Sequence, residues 1–156
     1  MHGAKFGSLE EISFFLNAGA DPNILNSEGM TALAYGIVSG NIEVIYLLAP
    51  VTTAGVDQII IKLAQSSLKI EVDFEKILGN IIDNEKLNFL LENSSLFGNE
   101  KLLEFVLNKT NHTWSSDLLD RAFQNLIKTD KEQPVQILRD YYKRINTTGE
   151  FNKCIS

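Results

Sequence analysis

The sequence predicts an all-α protein built as a solenoid-like stack of about four to five helix pairs, with divergent C-terminal repeats. Two observations carry this. First, Gly7-Ser8-Leu9-Glu10-Glu11-Ile12-Ser13-Phe14-Phe15-Leu16 returns 33 residues later as Gly40-Asn41-Ile42-Glu43-Val44-Ile45-Tyr46-Leu47-Leu48-Ala49, with apolar residues coinciding at 9/42, 12/45, 14/47, 15/48 and 16/49. Second, both copies have helical rather than alternating apolar spacing and follow a small turn residue. A third copy begins at Gly98-Asn99-Glu100, with Ser95-Leu96-Phe97 ahead of it much as Ala4-Lys5-Phe6 precedes Gly7. A unit of this size cannot bury its apolar face alone and must stack on a neighbour.

The first inner helix has only Met1 to Phe6, so the opening unit is half present. It ends in the turn Gly19-Ala20-Asp21-Pro22-Asn23, where Asp21 and Asn23 are expected to bond nearby backbone N–H groups and Pro22 fixes φ. Thr31 is placed to cap a short inner helix kept slim by Ala32, Ala34 and Gly36. Gly40 then leads into an outer helix. After Ala49 the pattern decays. Asp57 is expected to cap a helix carrying Ile60, Ile61, Ala64 and Leu68; Asp73 is expected to cap one carrying Phe74, Ile77, Leu78 and Ile81. From Gly40 to Gly98 the distance is eight residues short of two full units. Asn84 to Ser95 and Gly98 to Asn108 form the next pair. Ser115 or Ser116 caps a helix with Leu118, Leu119, Ala122, Phe123, Leu126 and Ile127. Thr129 through Pro134 reads as the start of the last helix, a cap with Pro in the first turn. The expected division is 1–23, 24–56, 57–83, 84–111 and 112–145 within one domain, followed by a polar tail, 146–156.

The unit around Thr31 resembles the ankyrin repeat in register. Its residues are Gly-Ala-Asp-Pro-Asn (19–23), Gly29-Met30-Thr31-Ala32-Leu33, and Gly40 with Glu43 and Leu47-Leu48. The family pattern has Pro and His where this chain has Ala32 and Ala34, and Gly36-Ile37 replaces its small-residue pair. The match covers residues 4–49. The resemblance implies a non-catalytic protein–protein interaction module that binds through hairpin tips and the exposed side of the inner helices. Carried over position by position, the contact residues are Leu25, Ser27, Glu28, Met30, Val38 and Ser39. The alternative role is a scaffold or substrate-recruiting fragment of a larger enzyme or secreted bacterial effector, with the catalytic part outside this chain.

Composition narrows the partners. The net charge is −6, which argues against a duplex nucleic-acid binder, since that needs a basic face to displace counterions. Residues 1–100 hold 5 basic against 13 acidic side chains, and residues 101–156 hold 9 against 7. The acidic half suits a protein partner with a basic surface. No apolar run approaches the roughly 20 residues of a spanning helix, so no membrane association is expected. No secretory signal is visible and Cys154 is the single cysteine; both fit the cytoplasm, or the cytosol of a host cell if the chain is a delivered effector. The Asn-X-Ser/Thr matches at Asn93, Asn108, Asn111 and Asn146 are read as chance.

Catalytic chemistry finds little to work with. His2 is terminal, His112 sits in a polar loop beside Trp114, and a Cys154–His112 pair would need an ordered tail. No phosphate-cradling glycine loop or Cys/His metal spacing occurs, so no cofactor and no metal are expected. Glu71, Asp73 and Glu75 lack the remaining ligands of a calcium loop and are read as helix capping. Trp114, Tyr141 and Tyr142 are read as packing rather than as a stacking platform.

Overall fold

A computed structural model describes residues 8–66, 72–109 and 112–148. All regular structure among them is helical, in the all-α helical-repeat class that the periodicity predicts. The expected first inner helix, Glu71, His2, Cys154 and the end of the polar tail lie outside the described residues. The chain separates into two compact units, Met1–Ile82 and Asp83–Ser156.

In the first unit, α1 spans Leu9–Asn17, α2 Ala32–Ser39 and α3 Ile42–Leu48, followed by a 3₁₀ turn at Ala49–Val51, α4 at Val56–Gln65 and α5 at Phe74–Leu78. The inner helices α2 and α4 pack side by side, and α3 packs against α1, α2 and α5. Between the rows lie Leu33, Ala34, Ile37, Val44, Ile45, Leu48, Ile59, Ile60, Leu63, Ile77 and Leu78, all essentially out of water. Burial of a Leu or Ile side chain of this kind contributes about 1.5–3 kcal/mol.

The helix starts explain why the repeat was readable. Gly40, left-handed at φ 72°, ends α2, and the Asn41 side chain accepts the Val44 N–H to open α3. Ser8 does the same for α1 with Glu11, and Asn99 for the outer helix after Gly98 with Leu102. Gly40–Asn41 and Gly98–Asn99 are thus each a left-handed turn plus an N-cap. Thr31 caps α2 as expected, accepting the Ala34 N–H, and Asp73 caps α5 through Lys76 N. Asp57 does not cap α4. Gly55, itself left-handed, takes that place because the chain turns tightly against the α1–α2 hairpin, and Asp57 sits inside the first turn. Nor does α5 reach Ile81: it ends at Leu78, whose carbonyl accepts the N–H groups of Ile81 and Ile82.

In the second unit, α6 spans Asn84–Leu96, α7 Glu100–Leu107, α8 Ser116–Lys128 and α9 Glu132–Thr148. α6 packs against α7 and α8, while α9 packs against α7 and α8. Ser115, the first of the two expected caps, opens α8. Thr129 opens nothing. Its hydroxyl donates to Leu126 O and closes α8, Asp130 turns the chain at φ 57°, and α9 begins at Glu132 with Pro134 in its first turn. The turn is anchored from below: Lys131 Nζ donates to the carbonyls of Phe97 and Gly98, neutralising the C-terminal end of α6. Polar residues in the buried stripe of α6 satisfy themselves. Asn93 donates to Phe89 O, and the hydroxyls of Ser94 and Ser95 both donate to Leu91 O. Asn93 is therefore enclosed and unavailable to glycosylation. Trp114 is fully buried and Tyr141 nearly so, so their packing reading holds and no open aromatic platform forms.

Candidate protein-interaction surface

The hairpin joining α1 to α2 is the best-built surface feature of the first unit. Asp21 Oδ1 accepts the Asn23 N–H at 2.9 Å, which shapes the local turn. Asn23 does not serve its own turn. Its side-chain oxygen accepts the N–H groups of Thr53 at 2.7 Å and Ala54 at 3.0 Å, and its amide donates to Val51 O at 3.3 Å. One side chain thereby ties this hairpin to the next connector. Asn23→Ala is expected to cost about 1–2 kcal/mol, held to that range because water can replace bonds at an exposed edge. Asn23→Asp, which keeps the acceptor and loses the donor, should cost less. Urea unfolding measures both, and amide exchange at Thr53 and Ala54 should accelerate in the alanine variant.

Asn26 organises the tip. Its N–H donates to Met30 O, its side-chain oxygen accepts from Glu28 N and Met30 N, and its amide reaches Tyr35 Oη at 2.6 Å. Ser27 and Glu28 are exposed at the apex of this clamp. The sequence reading missed Asn26, although an Asn ahead of Ser-Glu-Gly is a turn signal of its own kind.

The six expected contact residues do not form one cluster. Leu25, Ser27 and Glu28 lie at the tip, whereas Val38 and Ser39 occupy the far end of α2, where the Ser39 hydroxyl donates to Gly36 O. An eight-residue helix such as α2 rises about 12 Å. Met30 must be removed from the exposed set. It is only 5% accessible and packs into the core, because the Asn26 clamp turns the chain inward before Thr31. Leu25 and Val38 remain open at 49% and 54%. Exposed apolar residues outside the expected set include Ile24 beside Leu25, and Phe14 and Phe15 on α1, the last two among the most open.

The electrostatic setting is one-sided. Among described residues 8–66, Lys62 is the one basic side chain against Glu10, Glu11, Asp21, Glu28, Glu43 and Asp57. In the second unit, His112 Nε2 meets Asn88 Oδ1 at 3.2 Å and the ring stands edge-on to Trp114 at 4.3 Å. Burial lowers the His112 pKa, which keeps the imidazole neutral at pH 7. The arrangement is a packed loop, with Asn88 rather than an acid–base partner on the ring nitrogen. A cleft of about 280 Å³ between α7 and α9 is lined by Glu104, Asp140, Tyr141 and Arg144, with Arg144 bonded to Asn108. Among the described residues, no group of three or more His, Cys, Asp or Glu side chains is placed to hold a metal ion, and no helix is long and apolar enough to cross a membrane.

Comparison with known proteins agrees with the repeat architecture. Residues 1–49 match the family model for ankyrin repeats, a family occurring in many copies. No curated protein and no solved structure matches the chain significantly. The matched segment contains the Gly40–Asn41 link, the Thr31 cap and the α2–α3 pair whose geometry is described above. Residues 1–49, about a third of the chain, are therefore similar to ankyrin repeats, which are generally non-catalytic protein–protein interaction modules.

Proposed function

We propose that this chain is a non-catalytic interaction module that takes a protein partner with a basic surface onto the α1–α2 hairpin tip and the exposed end of α2. The observation that carries the reading is the Asn26 clamp. It holds Ser27 and Glu28 at the apex and leaves Ile24 and Leu25 exposed beside them, in a unit with an excess of carboxylates. A rigid tip lowers the entropic cost of association, and apolar anchors ringed by charge give affinity and orientation together. Val38 and Ser39 extend the surface along the inner helix.

The test pairs Leu25→Asp with Val38→Asp, both at open positions that fold without burying the new carboxylate. Quantitative affinity purification with the wild type and the double variant should show specific partners depleted about tenfold or more by the substitutions. Raised salt should weaken the same interactions. Circular dichroism should remain unchanged. Equal recovery of every partner by both proteins would overturn the site.

A further inference from the structure

The repeat itself exposes a second surface. The 33-residue register places Phe15 where α3 has Leu48, and the Gly40/Gly98 register places Val106 there in α7. Leu48 and Val106 are 2% and 0% accessible, whereas Phe15 is 53% accessible and its neighbour Phe14 is 68%. The two rings meet edge to face with centroids 5.9 Å apart, so they make one aromatic ledge instead of diverging. Ile12, one turn before Phe15 and roughly opposite Phe14, is the buried residue of α1.

The same face carries charge. Glu10 lies four residues before Phe14, and Glu11 lies four before Phe15 and three before Phe14; all four side chains are exposed. Residues at these spacings are neighbours on a helix surface, about 5–6 Å apart at Cβ. Carboxylates in a first turn also favour the helix dipole, but that role does not call for two open phenylalanines one turn further on. Carboxylates beside aromatic faces complement a cationic side chain on an apolar segment, through ion pairing and cation–π contact. A second copy of the chain is a poor occupant, since pairing this face with itself would bring Glu10 and Glu11 of both copies together in an already acidic unit.

We propose that the outer face of α1, formed by Glu10, Glu11, Phe14 and Phe15, docks a partner segment that carries apolar anchors with Lys or Arg one helical turn away. This surface is separate from the hairpin tip and stands or falls apart from it.

The test titrates the full chain with a Leu/Lys amphipathic helical peptide and with its Leu/Glu counterpart, following binding by calorimetry and by amide shifts of the isotopically labelled wild type. The basic peptide should bind with shifts centred on α1. Phe14→Ser/Phe15→Ser should weaken binding by about tenfold or more, Glu10→Gln/Glu11→Gln by a smaller, salt-dependent factor, and Leu25→Asp/Val38→Asp not at all. The wild-type shift map decides the matter without relying on how any variant folds. Shifts elsewhere, equal binding of the acidic peptide, or unchanged affinity in the phenylalanine variant would overturn the proposal. So would self-association of the wild type, or its partition into phosphatidylcholine vesicles, if either is abolished by Phe14→Ser/Phe15→Ser.

Discussion

Met30→Asp is expected to unfold the first unit, whereas Val38→Asp leaves its helices intact. Both positions are apolar and both lie on or beside α2, but Met30 is 5% accessible and Val38 is 54%. A carboxylate forced into the Met30 site meets no buried Lys or Arg among the described residues and must either remain uncompensated or take up a proton, at a cost of several kcal/mol. That is comparable to the whole stability of a small unit, about 5–15 kcal/mol. At Val38 the new charge stays in water and the cost is about 0.5 kcal/mol or less. Far-UV circular dichroism and urea unfolding separate the two outcomes. A cooperative transition in Met30→Asp with an unshifted midpoint would show that Met30 is not a core residue. The contrast matters for function, because loss of binding in a Met30 variant would report unfolding and not a lost contact.

Gly55→Ala should destabilise the first unit by about 2–4 kcal/mol, from the sum of a left-handed backbone and overpacking. Gly55 has φ 66°, and a Cβ there would lie 3.0 Å from Leu25 Cδ2, 3.0 Å from Thr31 Cγ2 and 3.1 Å from the Gly29 carbonyl oxygen. The side chains can shift slightly; the backbone carbonyl cannot do so without disturbing the turn that Asn26 holds. Gly19→Ala is the matched control. Gly19 also has positive φ, 93°, yet nothing lies within 4 Å of its Cβ position, so it should lose only about 1–2 kcal/mol. The difference in urea midpoints between the two variants measures the close approach by itself. Equal losses would mean that the contact against the hairpin is unimportant. Because Leu25 is one of the displaced groups, Gly55→Ala should also weaken any partner held at the tip.

The repeat was readable because its punctuation is local. The caps act within three or four residues, as the bonds from Glu11 N to Ser8, Val44 N to Asn41 and Leu102 N to Asn99 show, and the left-handed Gly40 and Gly98 precede two of them. The same locality made Thr31, Asp73 and Ser115 legible as caps. Three of the failures arose where a competing contact came from far along the chain. Asp57 lost its capping place to Gly55, which is pressed against the preceding hairpin. Asn23 left its own turn for backbone groups at residues 51–54. Thr129 was drawn into closing α8, while the next residue but one, Lys131, reached back to Phe97 and Gly98. Met30 looked like a tip residue because family register assigns positions, not the direction in which a side chain leaves a clamped loop.

What the sequence determined by itself is the all-α class, the register of the Gly7, Gly40 and Gly98 copies and the acidic character of the first unit. Each depends on periodicity, on caps that act within one turn, or on charge that can be counted. Tertiary structure alone decided which apolar residues face water. Ile12 and Phe15 share a helix that packs against α3 and both are apolar, yet the first is enclosed and the second is open. Burial depends on what a neighbouring layer covers, and that covering is a property of the stack, not of the residue.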